Sequence, residues 1–276
     1  MKAARRLKII NIYITALILL TSCAKQPQPD TSETTEPFAS LSAVPSMSRE
    51  PTATARQEDA PVPGETEAQP DAAEAQNGKV TIADGFYYYE LNDAIKKRIT
   101  GTSYPAEGSG EITYGDLRYI RLKYYDFDGN AHDDGELIVN AKLAKEVTEI
   151  FYRLFVHKYA FSSIRLVDDY GEPGDDNLSM AANNTSAFNY RYVTGTKKLS
   201  LHSYGAAIDI NPVMNPYIVG NRVAPKNAAA YVDRSQKLPG MIDHDDLCYK
   251  LFTQKGWKWG GDNRNEKDYQ HFSKKI

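Results

Sequence analysis

The residues before and after position 78 differ in composition, and this difference decides which part of the chain can fold. Residues 24–78 hold 8 of the 14 prolines, ten acidic residues, three basic residues and one aromatic residue, Phe38. Such a stretch buries too little apolar surface to offset the entropy lost on ordering. We therefore expect a disordered acidic tether here, and a folded domain over residues 79–276, which carry 28 of the 30 aromatic residues.

Residues 1–22 have the pattern of an export signal, with a basic start and an apolar run over residues 9–20. This run is shorter than the roughly 20 residues that a membrane-spanning helix needs. It ends in Leu20-Thr21-Ser22-Cys23, which resembles the lipobox of bacterial lipoproteins. The resemblance implies cleavage before Cys23 and lipidation of that cysteine; the alternative is an ordinary secretory signal. We expect a protein of the cell envelope, outside the cytoplasmic membrane, that touches the membrane only through its lipid anchor.

The folded region is electrically balanced, with 26 basic and 26 acidic residues from Lys79 onward. A neutral domain lacks the basic surface that nucleic-acid binding requires, so we expect no nucleic-acid partner. With Cys23 lipidated, Cys248 has no cysteine to pair with. We expect Cys248 to be a small buried side chain within a helix, and the protein to be a monomer that folds on its own core.

Hydrophobic periodicity predicts a mixed α+β fold. Residues 117–125 alternate as a half-buried strand does, and 137–139 form its hairpin partner. Residues 141–159 carry one apolar stripe, which predicts a helix with Asn140 as its N-cap. Further helices are predicted over 91–98 and 246–255, the second capped by Asp245, and further strands over 163–167, 206–210, 257–259 and 269–273. Because the predicted strands and helices do not alternate regularly as in βαβ units, we expect a single domain with a largely antiparallel sheet and flanking helices.

Two histidines and one aspartate have the chemistry of a catalytic zinc site. His202 and Asp209 are seven residues apart, and His271 is five residues from the end of the chain. Three nitrogen and oxygen ligands leave the fourth position of zinc open, whereas closed structural sites are usually rich in cysteine. Asp209 lies between Ile208 and Ile210, where a carboxylate is costly to bury unless it is paired or binds a metal. These residues predict one Zn²⁺ per chain.

Asp268 is the candidate general acid/base beside this site. In a regular strand, residues three apart point to opposite faces, so Asp268 and His271 would point apart. A turn over residues 265–267 would have to re-aim Asp268 toward the attacking water. In that position its carboxylate would accept the water's proton and return it to the leaving amine.

The segments that carry these residues resemble the M15 zinc peptidases of bacterial cell walls. The resemblance covers residues 86–272 and is carried by His202-x6-Asp209, Asp268-x2-His271, residues 184–191 (Asn-Thr-Ser-Ala-Phe-Asn-Tyr-Arg) and residues 207–212 (Ala-Ile-Asp-Ile-Asn-Pro). Within these peptidases the chain is most similar to the branch that is D-alanyl-D-alanine carboxypeptidase-like or L-alanyl-D-glutamate peptidase-like. The resemblance implies a hedgehog/DD-peptidase-like fold and zinc binding by His202, Asp209 and His271.

The same resemblance implies roles for three further residues. Asp268 matches the general acid/base, at a position where several relatives carry glutamate. Arg191 matches an arginine that steadies the substrate carbonyl as it becomes an oxyanion. Ser200 matches a serine that contacts the substrate backbone. The alternatives are structural: stacking or pairing for Arg191, which follows Tyr190, and a hydrogen-bonding place in a strand for Ser200. The chain departs from the pattern at Asn263, where the family often has tryptophan after Gly-Gly-Asp, and this changes one wall of the pocket.

The expected function is hydrolysis of peptidoglycan stem peptides, most simply removal of the terminal D-Ala. One alternative is cleavage between L-Ala and D-Glu by the same site, and another is a non-catalytic wall-binding module. Such a module is expected to have lost a ligand or the base, and here none is lost. A serine hydrolase is disfavoured because the chain has no Gly-x-Ser-x-Gly elbow. A calcium loop at residues 126–137 is disfavoured because Ala131 and Leu137 replace the required glycine and glutamate.

Overall fold

The computed structural model of the protein describes residues 76–171 and 175–276. The predicted export signal, Cys23 and nearly all of the predicted tether lie outside the described residues. Within the described part of the chain, no helix is both long and apolar enough to cross a membrane.

Over the described residues, the chain forms four α-helices and twelve strands. The helices are α1 (Asp93–Ile99), α2 (Ala144–Val156), α3 (Asn177–Ala181) and α4 (Leu247–Gln254). The strands are β1 (Val80–Ala83), β2 (Phe86–Glu90), β3 (Leu117–Tyr125), β4 (Ala131–Asn140), β5 (Ser163–Ile164), β6 (Asn184–Thr185), β7 (Ala207–Asp209), β8 (Tyr217–Val219), β9 (Arg222–Ala224), β10 (Lys258–Trp259), β11 (Lys267–Asp268) and β12 (His271–Ser273).

These strands form small sheets, most of them antiparallel. The largest has the order β1-β2-β3-β4, and two three-stranded sheets have the orders β10-β12-β7 and β11-β8-β9. In these three sheets all neighbouring strands are antiparallel, whereas the short pair β5-β6 is parallel. The predicted α+β class with a largely antiparallel sheet is therefore confirmed.

The four-stranded sheet is covered on both faces, and the alternation along β3 explains why. Ile120 and Leu122 belong to a core formed with α2 and the sheet that contains β7 and β12. Leu117 and Tyr119 point the other way and pack with residues of α1. Because side chains alternate along a strand, a single apolar-rich strand can serve two cores.

Helix α2 begins three residues later than its apolar stripe predicts. Asn140 ends β4 instead of capping the helix, and its side chain donates to the Tyr204 carbonyl and accepts from Lys142 N. The N-cap is Leu143, which provides no side-chain hydrogen bond. The predicted N-cap was wrong because Asn140 connects β4 to the turn that carries His202.

Other element ends also differ from the prediction. Asp246, not Asp245, caps α4 and accepts from Cys248 N and Tyr249 N. Cys248 is buried in α4 as expected. The predicted strand over residues 269–273 is shorter, because Tyr269 and Gln270 form a turn before β12. The stretch 168–185, expected to be irregular, contains α3 and β6, and the hairpins β1-β2 and β8-β9 were not predicted.

Candidate active site

Strand pairing brings Asp209 and His271 together. They are directly opposite each other on the antiparallel strands β7 and β12. Opposite residues on one face of such a pair have side chains in reach of each other, and His271 Nδ1 is 3.0 Å from Asp209 Oδ1. The alternate residues Ile208 and Phe272 are fully buried in the core. Because a one-residue slip would expose them, the core fixes the register that the site needs.

His202 reaches the same point from a short 3-10 turn, Leu201–Tyr204. Gly205 ends this turn with φ +62, and a Cβ atom there would lie 2.5 Å from Asn140 N. The reversal at glycine is therefore required both by conformation and by space. It places His202 Nε2 3.3 Å from Asp209 Oδ2 and 3.2 Å from His271 Nδ1.

The donor set fits a zinc ion. With ligand distances of about 2.0–2.2 Å in a tetrahedral arrangement, two ligand atoms are about 3.3–3.6 Å apart. His202 Nε2 and His271 Nδ1 are 3.2 Å apart, close to this value, and each Asp209 oxygen lies near one histidine, Oδ1 at 3.0 Å from His271 Nδ1 and Oδ2 at 3.3 Å from His202 Nε2. One ligand atom from each of the three residues lies within 4.8 Å of the other two. His202 Nδ1 is 2.6 Å from the Ala187 carbonyl, so this nitrogen donates there and Nε2 keeps its lone pair for a metal. Within the described part of the chain, no other group of three such residues converges in this way.

The charges in this group are strongly coupled. Burial would raise the pKa of Asp209, but the charges and hydrogen bonds of His202 and His271 outweigh it and hold that pKa well below its usual range. Burial would lower the pKa of His271, yet Asp209 raises it overall. A divalent cation requires the ionised carboxylate that this environment favours and neutral imidazoles, so metal binding would displace the proton that Asp209 favours on His271.

Asp268 lies beside the group, but the turn that aims it is not the predicted one. It ends β11, and the chain turns at Tyr269 and Gln270 before His271 begins β12. The re-aiming turn is therefore after Asp268 and not over residues 265–267. Burial raises the pKa of Asp268 to about 6, and the nearby charge of Asp209 adds to this effect, whereas His271 opposes it. A pKa near neutrality suits a group that both accepts and returns a proton.

Close packing holds Asp268 in this position. A Cβ atom on Gly260 would lie 2.5 Å from the Asp268 carbonyl oxygen and 2.7 Å from its Cβ. Asp268 Oδ1 is buried and makes no hydrogen bond with the described residues. A buried polar atom without a protein partner is open to a ligand, a water molecule or a proton.

Arg191 and Ser200 are both near His202, but the structure gives them different partners. Ser200 is the N-cap of the 3-10 turn, where its Oγ accepts from His202 N at 3.3 Å. Arg191 Nη2 is 2.7 Å from Asp176 Oδ2. The positive charge of Arg191 opposes, without reversing, the rise that Asp209 causes in the pKa of His271.

Sequence reasoning missed Asp176 and Gly260. Asp176 is in a stretch that was expected to be irregular. Its ion pair with Arg191 joins residues fifteen positions apart, and no periodic pattern in the sequence indicates such a contact. Gly260 carried a signal as part of a Gly-Gly pair, because consecutive glycines often mark a close approach of the backbone.

The two other groups that the sequence singled out have structural surroundings. Asp126 accepts backbone hydrogen bonds from Asp128 and Asn130, and His132 Nε2 is 2.8 Å from its other oxygen, so this segment is a polar hairpin turn. Trp257 and Trp259 are both buried in the core, as expected by default.

A comparison with known protein families finds one match, over the segment that carries most of these residues. Residues 194–274 match the sequence model of a family described as D-alanyl-D-alanine carboxypeptidase. The matched segment contains Ser200, His202, Asp209, Asp268 and His271, and it begins three residues after Arg191. It is shorter than the resemblance over residues 86–272. No curated protein and no solved structure matches the chain.

Proposed function

We propose that the chain is a zinc-dependent peptidase of the M15 type that hydrolyses peptidoglycan stem peptides. The match of residues 194–274 to the family model supports the peptidase class. The observation that carries the proposal is the convergence of His202, Asp209 and His271 within 4.8 Å of one another, with the half-buried Asp268 beside them. When bound, zinc supplies Lewis-acid chemistry: it polarises a carbonyl and makes a water molecule more acidic.

The protein's own residues perform the remaining steps. Asp268 takes the proton of the attacking water and delivers it to the amine that leaves, so the peptide bond breaks without free acid or base. Arg191 brings a fixed positive charge to the carbonyl oxygen as negative charge develops on it. Ser200 contacts the substrate backbone, while its Oγ also begins the turn that carries His202. Ala187 fixes the tautomer of His202 through its carbonyl.

The reaction we favour is removal of the terminal D-Ala from the stem peptide. The family description supports this choice, because it names a D-alanyl-D-alanine carboxypeptidase. Cleavage between L-Ala and D-Glu uses the same metal group and the same base, and it is the second candidate. We further propose that the protein is a monomer, anchored through lipidated Cys23 outside the cytoplasmic membrane, where its substrate is found.

Digestion of defined muropeptides by the zinc-loaded full-length protein, followed by mass spectrometry, tests the proposal. Free D-Ala would support the carboxypeptidase, and a disaccharide–L-Ala product would support the endopeptidase. The matched control is His202→Ala, which should release neither product. If the wild-type protein also releases neither product but sediments with purified cell walls, the enzyme is refuted in favour of a wall-binding module.

A further inference from the structure

The backbone of Arg191 is fixed against the turn that carries His202. Its N–H donates to Ser203 Oγ at 3.0 Å, and its carbonyl accepts from Ser200 N at 3.0 Å. Both partners belong to the same short segment as the first metal ligand. The base of the Arg191 side chain therefore has a defined position relative to His202, whereas its long side chain still has several rotatable bonds.

One carboxylate holds the end of that side chain. Arg191 Nη2 is 2.7 Å from Asp176 Oδ2, and the two side chains are only 24% and 16% exposed. Among the described residues, no other acidic group lies within ion-pair distance of Arg191. The orientation of the guanidinium thus depends on Asp176.

Asp176 is placed for this contact and not for capping its own helix. It directly precedes α3, where aspartate normally accepts from the first backbone N–H groups, yet its side chain makes no such hydrogen bond. Helix α3 itself is anchored beside the site. Asn184 Nδ2 donates to Ser179 Oγ at 3.0 Å in a buried position, and Gln270 Nε2 is 3.6 Å from Met180 Sδ. The carboxylate is therefore held by an anchored element.

We propose that Asp176 is a positioning residue, which holds the Arg191 guanidinium in the orientation that meets the substrate carbonyl. The inference rests on the proposed function. A cation that is already oriented stabilises developing negative charge better than one that must reorganise during the reaction. Asp176 does not touch the substrate; it acts only through Arg191. A purely structural ion pair would instead stabilise α3 and leave the rate of the zinc-loaded enzyme unchanged.

Steady-state kinetics of zinc-loaded variants distinguish these roles. We expect Asp176→Ala to lower kcat about tenfold or more with little change in KM, because the lost interaction matters in the transition state. Asp176→Asn still accepts a hydrogen bond, so it should retain part of the rate. The double variant Asp176→Ala/Arg191→Ala should be no slower than Arg191→Ala alone. The matched control is Asp134→Ala, which removes the ion pair with Arg165 and should keep wild-type kinetics.

Chemical rescue provides a second readout that a structural role would not change. Millimolar guanidinium should restore part of the activity of Arg191→Ala, because Asp176 can hold the free cation, and it should not restore the double variant. Wild-type kcat in Asp176→Ala, or equal rescue of the two Arg191 variants, would overturn the inference while the peptidase stands. A wild-type protein that cleaves no stem peptide would refute the proposed function, and with it this inference.

Discussion

The carboxyl group of Asp268 combines three properties that rarely occur together in a structural aspartate. Its Oδ1 atom is buried although the residue is half-buried, its pKa is raised to about 6 mainly by desolvation, and Oδ1 has no hydrogen-bond partner among the described residues. Structural carboxylates in protein interiors are normally paired or fully hydrogen-bonded. A group with this environment and the charges of His271 and Asp209 nearby is suited to move a proton and not to bind the metal.

Asp268→Ala should therefore separate metal binding from catalysis. We expect the variant to keep about one zinc per chain and to lose hydrolysis by about 10²–10⁴-fold, the usual contribution of general acid–base catalysis. His202→Ala, in contrast, should lose the metal. Metal content by mass spectrometry and muropeptide turnover measure the two effects. Turnover at the wild-type rate in Asp268→Ala would remove Asp268 from the mechanism.

Catalysis should also depend on Gly260, because the absence of a side chain there leaves room for Asp268. In Gly260→Ala the new methyl group would lie 2.5 Å from the Asp268 carbonyl oxygen, so Asp268 must move. Because a misplacement of about 1 Å can cost about 10²-fold in rate, we expect kcat to fall by that order with zinc content unchanged. Gly110→Ala is the matched control, since its Cβ meets nothing within 4 Å. Equal kcat in the two variants would contradict the packing argument.

At the scale of the element, the N-cap of α4 can be tested by mutation, because the sequence predicted Asp245 and the structure shows Asp246. Asp246 accepts from Cys248 N at 2.8 Å and from Tyr249 N at 3.4 Å, whereas the Asp245 side chain is exposed and only near Lys237. Asp246→Ala should lower the free energy of unfolding by about 1 kcal/mol, as loss of an N-cap usually does. Urea denaturation measures this change. Asp245→Ala serves as the control and should unfold like the wild type; the reverse order would show that Asp245 is the cap.

The predicted elements were most accurate where a long periodic pattern was buried. Strand β3 has the predicted bounds, and α2 lies within its predicted range, because each presents an apolar row to the core. The hairpin β8-β9 was missed because its strands are three residues long and only partly buried, so they carry almost no alternation. The cap at Asn140 was misassigned because its partner, the Tyr204 carbonyl, is 64 residues away.

For the candidate site, the sequence indicated which residues could bind a metal, but it did not predict how their side chains are arranged. His202, Asp209 and His271 have chemistry that is recognisable one residue at a time, and the structure brings them together. The aim of Asp268 depends on where the chain turns between β11 and β12. The partner of Arg191 depends on where α3 lies. Both depend on tertiary packing, which local sequence patterns do not predict.

At the scale of the whole molecule, a buried ionic group connects α1 to the four-stranded sheet. Glu136 of β4 is almost fully buried, Arg98 of α1 donates to it at 2.9 Å, and the Tyr119 hydroxyl also donates to it. Burial would raise the pKa of Glu136, but the hydrogen bonds from Arg98 and Tyr119 outweigh this and hold that pKa below its usual value. Because both elements pack into one core, loss of this charge should affect global unfolding.

The sign of the pH dependence follows from this lowered pKa. A carboxylate whose pKa is lower in the folded state stabilises the protein above the unfolded pKa, and its contribution is lost as the pH falls through the folded value. Urea titrations should therefore show that the free energy of unfolding decreases from about pH 5 to about pH 3. Glu136→Gln should cost about 1 kcal/mol at neutral pH, because Glu136 is buried whereas its partner Arg98 is 35% exposed and also pairs with Asp169. The difference from wild type should shrink as the pH falls, whereas the exposed control Glu107→Gln should follow the wild-type curve throughout. A Glu136→Gln deficit that stays constant down to about pH 3 would mean that packing, and not the charge, holds α1 to the sheet.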